Sequence, residues 1–330
     1  MRLAEMVARL SDPPLWRLPA GLAIAGITAD SRRVGPGDLF AALPGRHGDG
    51  RRHIAEAVAR GAAVVLAPQG TEWPPGVPPR PLLTDPEPRR RLAQLAAEAA
   101  GPAPETLIAV TGTNGKTSTV EFLRQLAGPA LPAASLGTLG IIAPAAPAEE
   151  RPGGLTTPDP VALAHSLAAL GRAGIHVAAL EASSHGLDQF RLDGLRLAAA
   201  GFTNLTRDHL DYHQSLAAYR AAKLRLFAEL LPEGAPAAVN ADMEPETLAA
   251  LHAIAARRRL ALRSVGTAAG ATYQLLEAVP HPEGQRLVLR AHGRVEEIDL
   301  ALPGRFQADN ALLAAALAEA TFAPDALARL

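Results

Sequence analysis

The sequence predicts an α/β protein of two domains, and three observations carry that reading. The 330 residues exceed one typical domain, since roughly 150 residues per domain suggests two. Apolar strand-like runs alternate with segments of helical spacing, the pattern of a mostly parallel sheet covered on both faces. At 106–126 an apolar strand, a glycine-rich loop and a helix-compatible run follow one another, the context that a phosphate-binding turn requires.

Composition narrows the class further. Hydrophobic residues make up 48% of the chain, enough for a sizeable core. The start, Met1-Arg2-Leu3-Ala4-Glu5-Met6, has a basic residue but no continuous apolar run, so no secretory signal is expected. No stretch approaches the ~20 uncharged apolar residues of a membrane-spanning helix. The formal net charge of −1 argues against a broad nucleic-acid surface. Cysteine is absent, which excludes disulfides and thiolate metal sites and fits a cytoplasmic protein.

The first segment reads as small α/β units. Asp38–Leu43 is expected as a strand, 52–60 as a helix on the spacing of Ile54, Ala57 and Val58, and Ala62–Ala67 as a buried strand after the stop at Gly61. The proline-crowded stretch from Pro68 to Pro88 is expected to be a surface loop. A helix over 89–100 then leads to Gly101-Pro102-Ala103-Pro104, where the domain boundary is placed. Beyond it, the expected core strands are 107–110, 175–180, 197–203 and 237–240. Antiparallel strands are expected over 273–279, 286–290 and 295–300, followed by an Ala/Leu-rich helix from about 308 to 320.

The strand Thr106-Leu107-Ile108-Ala109-Val110 runs into Thr111-Gly112-Thr113-Asn114-Gly115-Lys116-Thr117. Glycines let backbone N–H groups converge on phosphate oxygens, and the helix start adds favourable partial charge. Lys116 would reach the terminal phosphates, and the Thr117 hydroxyl would ligate Mg²⁺. The spacing departs from G-x-x-x-x-G-K-[ST], because Val110 occupies the first glycine position. The bland reading is a glycine-rich turn before a helix.

Other candidates stand at strand ends, where open α/β sheets bind ligands. Glu181 directly follows an apolar strand and leads into Ala182-Ser183-Ser184-His185-Gly186-Leu187-Asp188-Gln189-Phe190-Arg191. A glutamate after a strand is usually solvated, but the polar cluster behind it points to a site. The strand at 197–203 leads to Asn204 through His213, a run rich in His and Asp. Magnesium prefers oxygen ligands, so on spacing alone His209 reads as structural or solvated.

Ser215 can cap a helix over 216–231, on which Tyr219, Leu226 and Phe227 share a face with Lys223. Lys223 therefore lies on the apolar stripe. A desolvated lysine has a depressed pKa and more reactive neutral amine, while the competing reading is snorkelling to the helix rim.

Together these segments resemble the Mur ligase family. The pieces that carry the resemblance are Asp30-Ser31-Arg32, Gly45 through Asp49-Gly50-Arg51, the phosphate loop, Thr156-Thr157-Pro158, Glu181–His185, Asn204–His213, Tyr219-Arg220-Ala221-Ala222-Lys223 and Asn240-Ala241-Asp242. They occur in family order across nearly the whole chain. The run Gly304–Asn310 matches too, except that Gln307 stands where the family usually has Asn.

The resemblance implies an N-terminal uridine-nucleotide domain at 1–102 and a central ATP-binding domain at 103–330, the latter with a mostly parallel sheet plus a small antiparallel one. It implies an ATP-dependent ligase of peptidoglycan synthesis that adds the third amino acid, diaminopimelate or lysine, to UDP-N-acetylmuramoyl-L-Ala-D-Glu. ATP phosphorylates the D-Glu carboxylate, the incoming amine attacks the acyl phosphate, and phosphate leaves. Lys116, Lys223 and His209 would be catalytic. Gly112, Thr113, Asn114, Gly115, Lys116, Thr117, Ser118, Asn240, Asp242 and Asn310 would bind the nucleotide. One Mg²⁺ would bind Thr117 and Glu181, and a second His209 and N-carbamoylated Lys223. Ala29, Ser31, Arg46, His47, Gly48, Thr156, Thr157, Ser183, Gln189 and Arg191 would hold the uridine-nucleotide substrate. Family members carry a third, Rossmann-like domain with the amino-acid pocket, and this chain stops at Leu330, about where it should begin. The expectation is that the chain alone binds substrates but catalyses poorly or not at all.

Two competing readings remain. Another Mur-type or folylpolyglutamate-type ligase shares the phosphate loop, but Asp30-Ser31-Arg32 and Ser183–Leu187 favour the tripeptide-forming branch. A nucleotide-binding module without chemistry would not need Glu181, His209 and Lys223 together.

Overall fold

The computed structural model describes residues 1–45, 48–129, 131–144, 155–208 and 210–330. They form two compact units. The first comprises Met1–Gly101 together with Asp159–Ala168 and Gln189–Leu195, so its second and third pieces come from later in the sequence.

Its sheet has four parallel strands in the order β1 (Ile27–Thr28), β2 (Leu39–Ala41), β3 (Val64–Pro68) and β4 (Leu82–Asp85). Successive side chains of a strand point to opposite faces, and here both faces are buried. Leu39, Ala41, Val64, Leu66 and Leu83 pack with Leu3 and Met6 of the helix Leu3–Ala8 and with Leu92 and Leu95 of the helix Pro88–Ala100. Phe40, Val65 and Ala67 pack with Ile54, Ala57 and Val58 of the helix Ile54–Ala59. Val161, from the second piece of the unit, packs against the first of these clusters.

The stretch from Pro68 to Pro88 is not wholly a surface loop, because it contains β4. Leu82-Leu83-Thr84 carries no proline, and β4 lies at the sheet edge, where one side needs no ladder. Pro81, just before it, lacks an N–H but still accepts a bond through its carbonyl from Val65 N (3.0 Å). Proline density hid a strand that its neighbours tolerate.

The second unit comprises Pro102–Pro158, Ala169–Asp188 and Arg196–Leu330. Its strands are β5 (Thr106–Thr111), β6 (Ala133–Gly137), β7 (Gly140–Ile142), β8 (Val177–Glu181), β9 (Ala199–Phe202), β10 (Pro236–Asn240), β11 (Ala261–Gly266), β12 (Tyr273–His281), β13 (Gly284–Ala291) and β14 (Arg294–Leu300). They join in one ten-stranded sheet ordered β14-β13-β12-β11-β10-β9-β5-β8-β6-β7. Pairing is parallel from β6 through β12. The antiparallel strands β12–β14 continue this sheet through the short β11–β12 contact, and β7 closes the other edge antiparallel to β6.

The helix Arg305–Glu319 buries nearly its whole middle, from Ala308 to Ala318, against this sheet. Its alanines permit close approach, and so does Gly201 in β9, where a Cβ would meet Leu317 Cδ1 at 2.9 Å. The helix end is fastened by a polar knot. Tyr273 OH donates to Glu319 Oε2 (2.5 Å) and accepts from Arg263 Nη1 (2.9 Å), while His292 Nε2 lies 3.0 Å from the same carboxylate oxygen. Tyr273→Phe strips one partner from each of two groups, Glu319 being almost fully buried. It is expected to cost about 1–3 kcal/mol, read by urea unfolding; a change within error would show the knot to be dispensable. Among the described residues no helix is long and apolar enough to cross a membrane.

Candidate active site

The sheet order brings the carboxyl ends of β8, β5 and β9 side by side, with Val110 opposite Glu181 and Thr111 opposite Phe202. The phosphate loop leaves β5 at that edge and opens the helix Lys116–Leu126, with Gly115 as its N-cap. Both glycines are demanded by the fold. Gly112 (φ 145°) and Gly115 (φ 84°) lie where L side chains rarely go. A Cβ on Gly112 would overlap Thr203 Oγ1, and one on Gly115 would overlap Asn310 Oδ1. Asn310 thus sits directly against the loop, and its Nδ2 donates to Gln307 Oε1 (3.2 Å).

The loop is clamped by the segment after β9. Asn114 N donates to Asn204 Oδ1 (3.0 Å), and Asn204 Nδ2 and Thr203 Oγ1 both donate to Asn114 O (3.1 and 2.6 Å). Thr113 Oγ1 accepts from Thr206 N (3.0 Å) and lies 3.3 Å from Tyr219 OH. Thr203 and Asn204 were not singled out as site residues in the sequence. Their signal was position, directly beyond the end of β9 in the same crevice as Glu181.

Lys116 folds back onto its own loop, its Nζ donating to Gly112 O (3.0 Å) and Thr113 O (2.9 Å). Burial lowers its pKa, against the pull of Glu181 and Asp208. Thr117 Oγ1 donates to Glu181 Oε1 (2.8 Å), and Glu181 is only 2% exposed. A hydroxyl and a buried carboxylate in contact form the oxygen donor pair that suits Mg²⁺, so these residues fit the ion.

Lys223 does not snorkel. It is 1% exposed on the helix Leu216–Arg225, which Ser215 caps by accepting from Ala218 N. Its Nζ donates to Gly112 O (2.7 Å), the oxygen that Lys116 also uses, and lies 4.5 Å from the Tyr219 ring centroid. Burial first, and then the nearby Lys116 charge, push its pKa down to about 6 against the pull of Asp208. Neutral amine is therefore the dominant form at neutral pH. The expected continuous helix over 216–231 instead turns into a π-helix at Leu226–Leu230, with Arg258 donating to Ala228 O (2.7 Å) and Leu231 O (2.6 Å). Phe227 in this wider turn stacks on Phe202 at 6.0 Å.

Asn240 and Asp242 stand at the end of β10. Asn240 Oδ1 accepts from Asp242 N (2.8 Å), and the Asp242 carboxylate accepts from Thr267 N (2.7 Å), Ala268 N (3.0 Å) and Arg305 Nη2 (3.4 Å). One helix, Arg305–Glu319, therefore touches both this turn and, through Asn310, the phosphate loop. Ser118 lies in the first turn of the phosphate-loop helix.

The candidate substrate residues divide between the units. In the first, Ser31 Oγ donates to Glu56 Oε2 (2.8 Å), Asp30 caps the short helix Ser31–Arg33 that follows Ala29, Gly48 O accepts from Gly45 N (2.7 Å), and Arg191 Nη2 donates to Gln189 Oε1 (2.8 Å). In the second, Thr157 Oγ1 donates to Glu181 O (2.7 Å) and accepts from Ser183 N (3.0 Å), and the Thr156 hydroxyl lies 3.4 Å from that of Thr138. Arg46, His47 and His209 lie outside the described residues. Among the described residues no three His, Asp or Glu side chains group as a metal cluster.

Residues 110–318 match the model of the Mur ligase middle domain, and residues 23–100 match that of the Mur ligase family, catalytic domain. The UDP-N-acetylmuramoyl-L-alanyl-D-glutamate–2,6-diaminopimelate ligase of Caulobacter vibrioides is 49% identical over 94% of this chain and 64% of its own length. A solved structure of a ligase with that name superposes with TM-score 0.81 at 28% identity, over 97% of this chain and 63% of its own. A MurF ligase from Thermotoga maritima in complex with ADP shares the fold, with TM-score 0.58 at 18% identity over 92% of this chain and 64% of its own. The chain thus spans somewhat less than two thirds of the length of these proteins. With a family model covering well over half of its residues, the chain belongs to the Mur ligase family.

Proposed function

We propose that this chain is the nucleotide- and UDP-substrate-binding part of a cytoplasmic, ATP-dependent ligase of peptidoglycan synthesis. It joins the amine of 2,6-diaminopimelate to the D-Glu carboxylate of UDP-N-acetylmuramoyl-L-Ala-D-Glu. Diaminopimelate is preferred to lysine because it stands in the names of the relatives. The observation that carries the reading is the meeting of Lys116, Lys223 and the Gly112 carbonyl beside the Thr117–Glu181 pair. A phosphate loop alone would bind nucleotide; a buried second lysine at the same carbonyl calls for chemistry.

The roles follow from the groups. Lys116 exchanges its two loop carbonyls for phosphate oxygens, and the loop N–H groups bind the remainder. Thr117 and Glu181 would hold one Mg²⁺, and Lys223, its neutral amine having added to CO₂ to give an N-carbamate with loss of a proton, would hold a second with His209. These ions supply neutralisation of phosphoryl charge. The γ-phosphoryl passes to the D-Glu carboxylate, and the amine displaces phosphate to form the amide. Asn310, Asn240 and Asp242 form the nucleoside side. Ala29, Ser31, Arg46, His47, Gly48, Thr156, Thr157, Ser183, Gln189 and Arg191 hold the uridine nucleotide. The pocket for the incoming amino acid is placed in the portion of the relatives that this chain does not span.

The test is a coupled assay of ADP release in a chain extended to the length of its relatives. Release that requires both the UDP-dipeptide and diaminopimelate, with lysine at least about tenfold poorer in kcat/KM, is the expected result. Release with neither, or with a folate acceptor instead, would refute the reading.

A further inference from the structure

Glu181 is held by more than Thr117. Its Oε1 accepts from the backbone N–H of Thr138 (2.8 Å), and the Thr138 hydroxyl lies 3.2 Å from Oε2, to which it donates. The same hydroxyl stands 3.4 Å from that of Thr156. Thr138 begins the turn between β6 and β7, and the residue before it, Gly137, is where a Cβ would overlap the Glu181 carboxylate. The backbone of this turn is thus shaped around the carboxylate: no side chain at one position, two donors at the next. Thr138 itself is solvent-exposed while the carboxylate is buried.

We infer that Thr138, seated by Gly137, is a positioning residue that aims Glu181 at the magnesium ion and ties it to the Thr156–Thr157 segment. This rests on the reading of Thr117 and Glu181 as magnesium ligands. A Thr117 hydroxyl that gave a lone pair to the ion would keep its single O–H, enough to hold only one of the two carboxylate oxygens. The two Thr138 donors reach both oxygens and hold the carboxylate. Groups that orient a ligating carboxylate are typically worth ~10–100-fold in metal affinity. Thr157 fixes the backbone on the other side, its hydroxyl donating to Glu181 O (2.7 Å), so the ligand is held from side chain and main chain together.

The experiment is calorimetric titration of ADP into the chain at a series of Mg²⁺ concentrations, for wild type, Thr138→Val, Thr138→Ser and Glu181→Gln. Thr138→Val is expected to need about 10-fold more Mg²⁺ for half-maximal enhancement of binding, with Thr138→Ser like wild type. Glu181→Gln should lose most of the enhancement. Thr138→Val responding to Mg²⁺ as wild type does, while Glu181→Gln is impaired, overturns the role of Thr138 alone. So does a Thr138→Val variant weakened equally with and without Mg²⁺, which marks a merely structural residue. A wild type that binds no ADP, or Glu181→Gln indistinguishable from it, removes the magnesium reading and this inference with it.

Discussion

Replacing Lys223 by alanine, in a chain of the relatives' length, is expected to leave the fold intact and reduce ligase activity by about 100-fold or more. Outer groups around a metal are worth ~10–100-fold, and a ligand itself stands at or beyond the top of that range. Short-chain carboxylate added to the alanine variant is expected to restore part of the loss, by supplying the missing anionic oxygen. Wild-type activity in that variant would contradict the assignment. The same residue makes a second, independent prediction about stability. Its amine titrates near 6 in the fold because burial disfavours the ammonium, whereas in the unfolded chain it keeps its proton to about pH 10.4. Between those values the unfolded state binds the additional proton, so stability rises with pH across that window. At pH 8 the penalty is about 3 kcal/mol. Lys223→Met, which fills the space without a charge, is therefore expected to be the more stable protein at pH 7–8, with the difference shrinking toward pH 10. Urea unfolding across that range reads it, and a methionine variant with an unchanged pH slope would show that the lysine is not held neutral.

What the sequence disclosed was what single residues and short spacings impose. The strand, glycines, lysine and threonine at 106–117 predicted a strand–loop–helix turn, and the fold contains it as β5 and the helix Lys116–Leu126. That Lys223 lies on the apolar stripe of its helix was readable from Tyr219, Leu226 and Phe227 at helical spacing, because neighbours three and four apart share a face. The spacing left burial and snorkelling both open; burial at Gly112, 111 positions away, is a fact of tertiary structure. The same limit concealed Thr138, whose partner Glu181 is 43 residues distant. Strands β1, β6 and β7 passed unnoticed, being short or Ala-rich, β11 because Arg263 and Ser264 interrupt its apolar run, and β4 lay hidden among prolines. The π turn at Leu226–Leu230 was equally invisible, since Arg258 supplies its carbonyl partners from another helix.

The claim at the centre of this account is that Gly112–Thr117 binds the phosphates of ATP·Mg²⁺ with Lys116 as their counter-charge. Lys116 Nζ already makes two bonds to loop carbonyls, which bonds to anionic phosphate oxygens would replace. Such bonds contribute about 1.5–3 kcal/mol each, so losing two weakens binding by at least about 100-fold. Isothermal titration of ATP·Mg²⁺ into wild type and Lys116→Ala is the direct measurement. Saturable binding by wild type and no detectable heat from a variant with an unchanged melting profile is the predicted result. Equal affinity in the two proteins would contradict it.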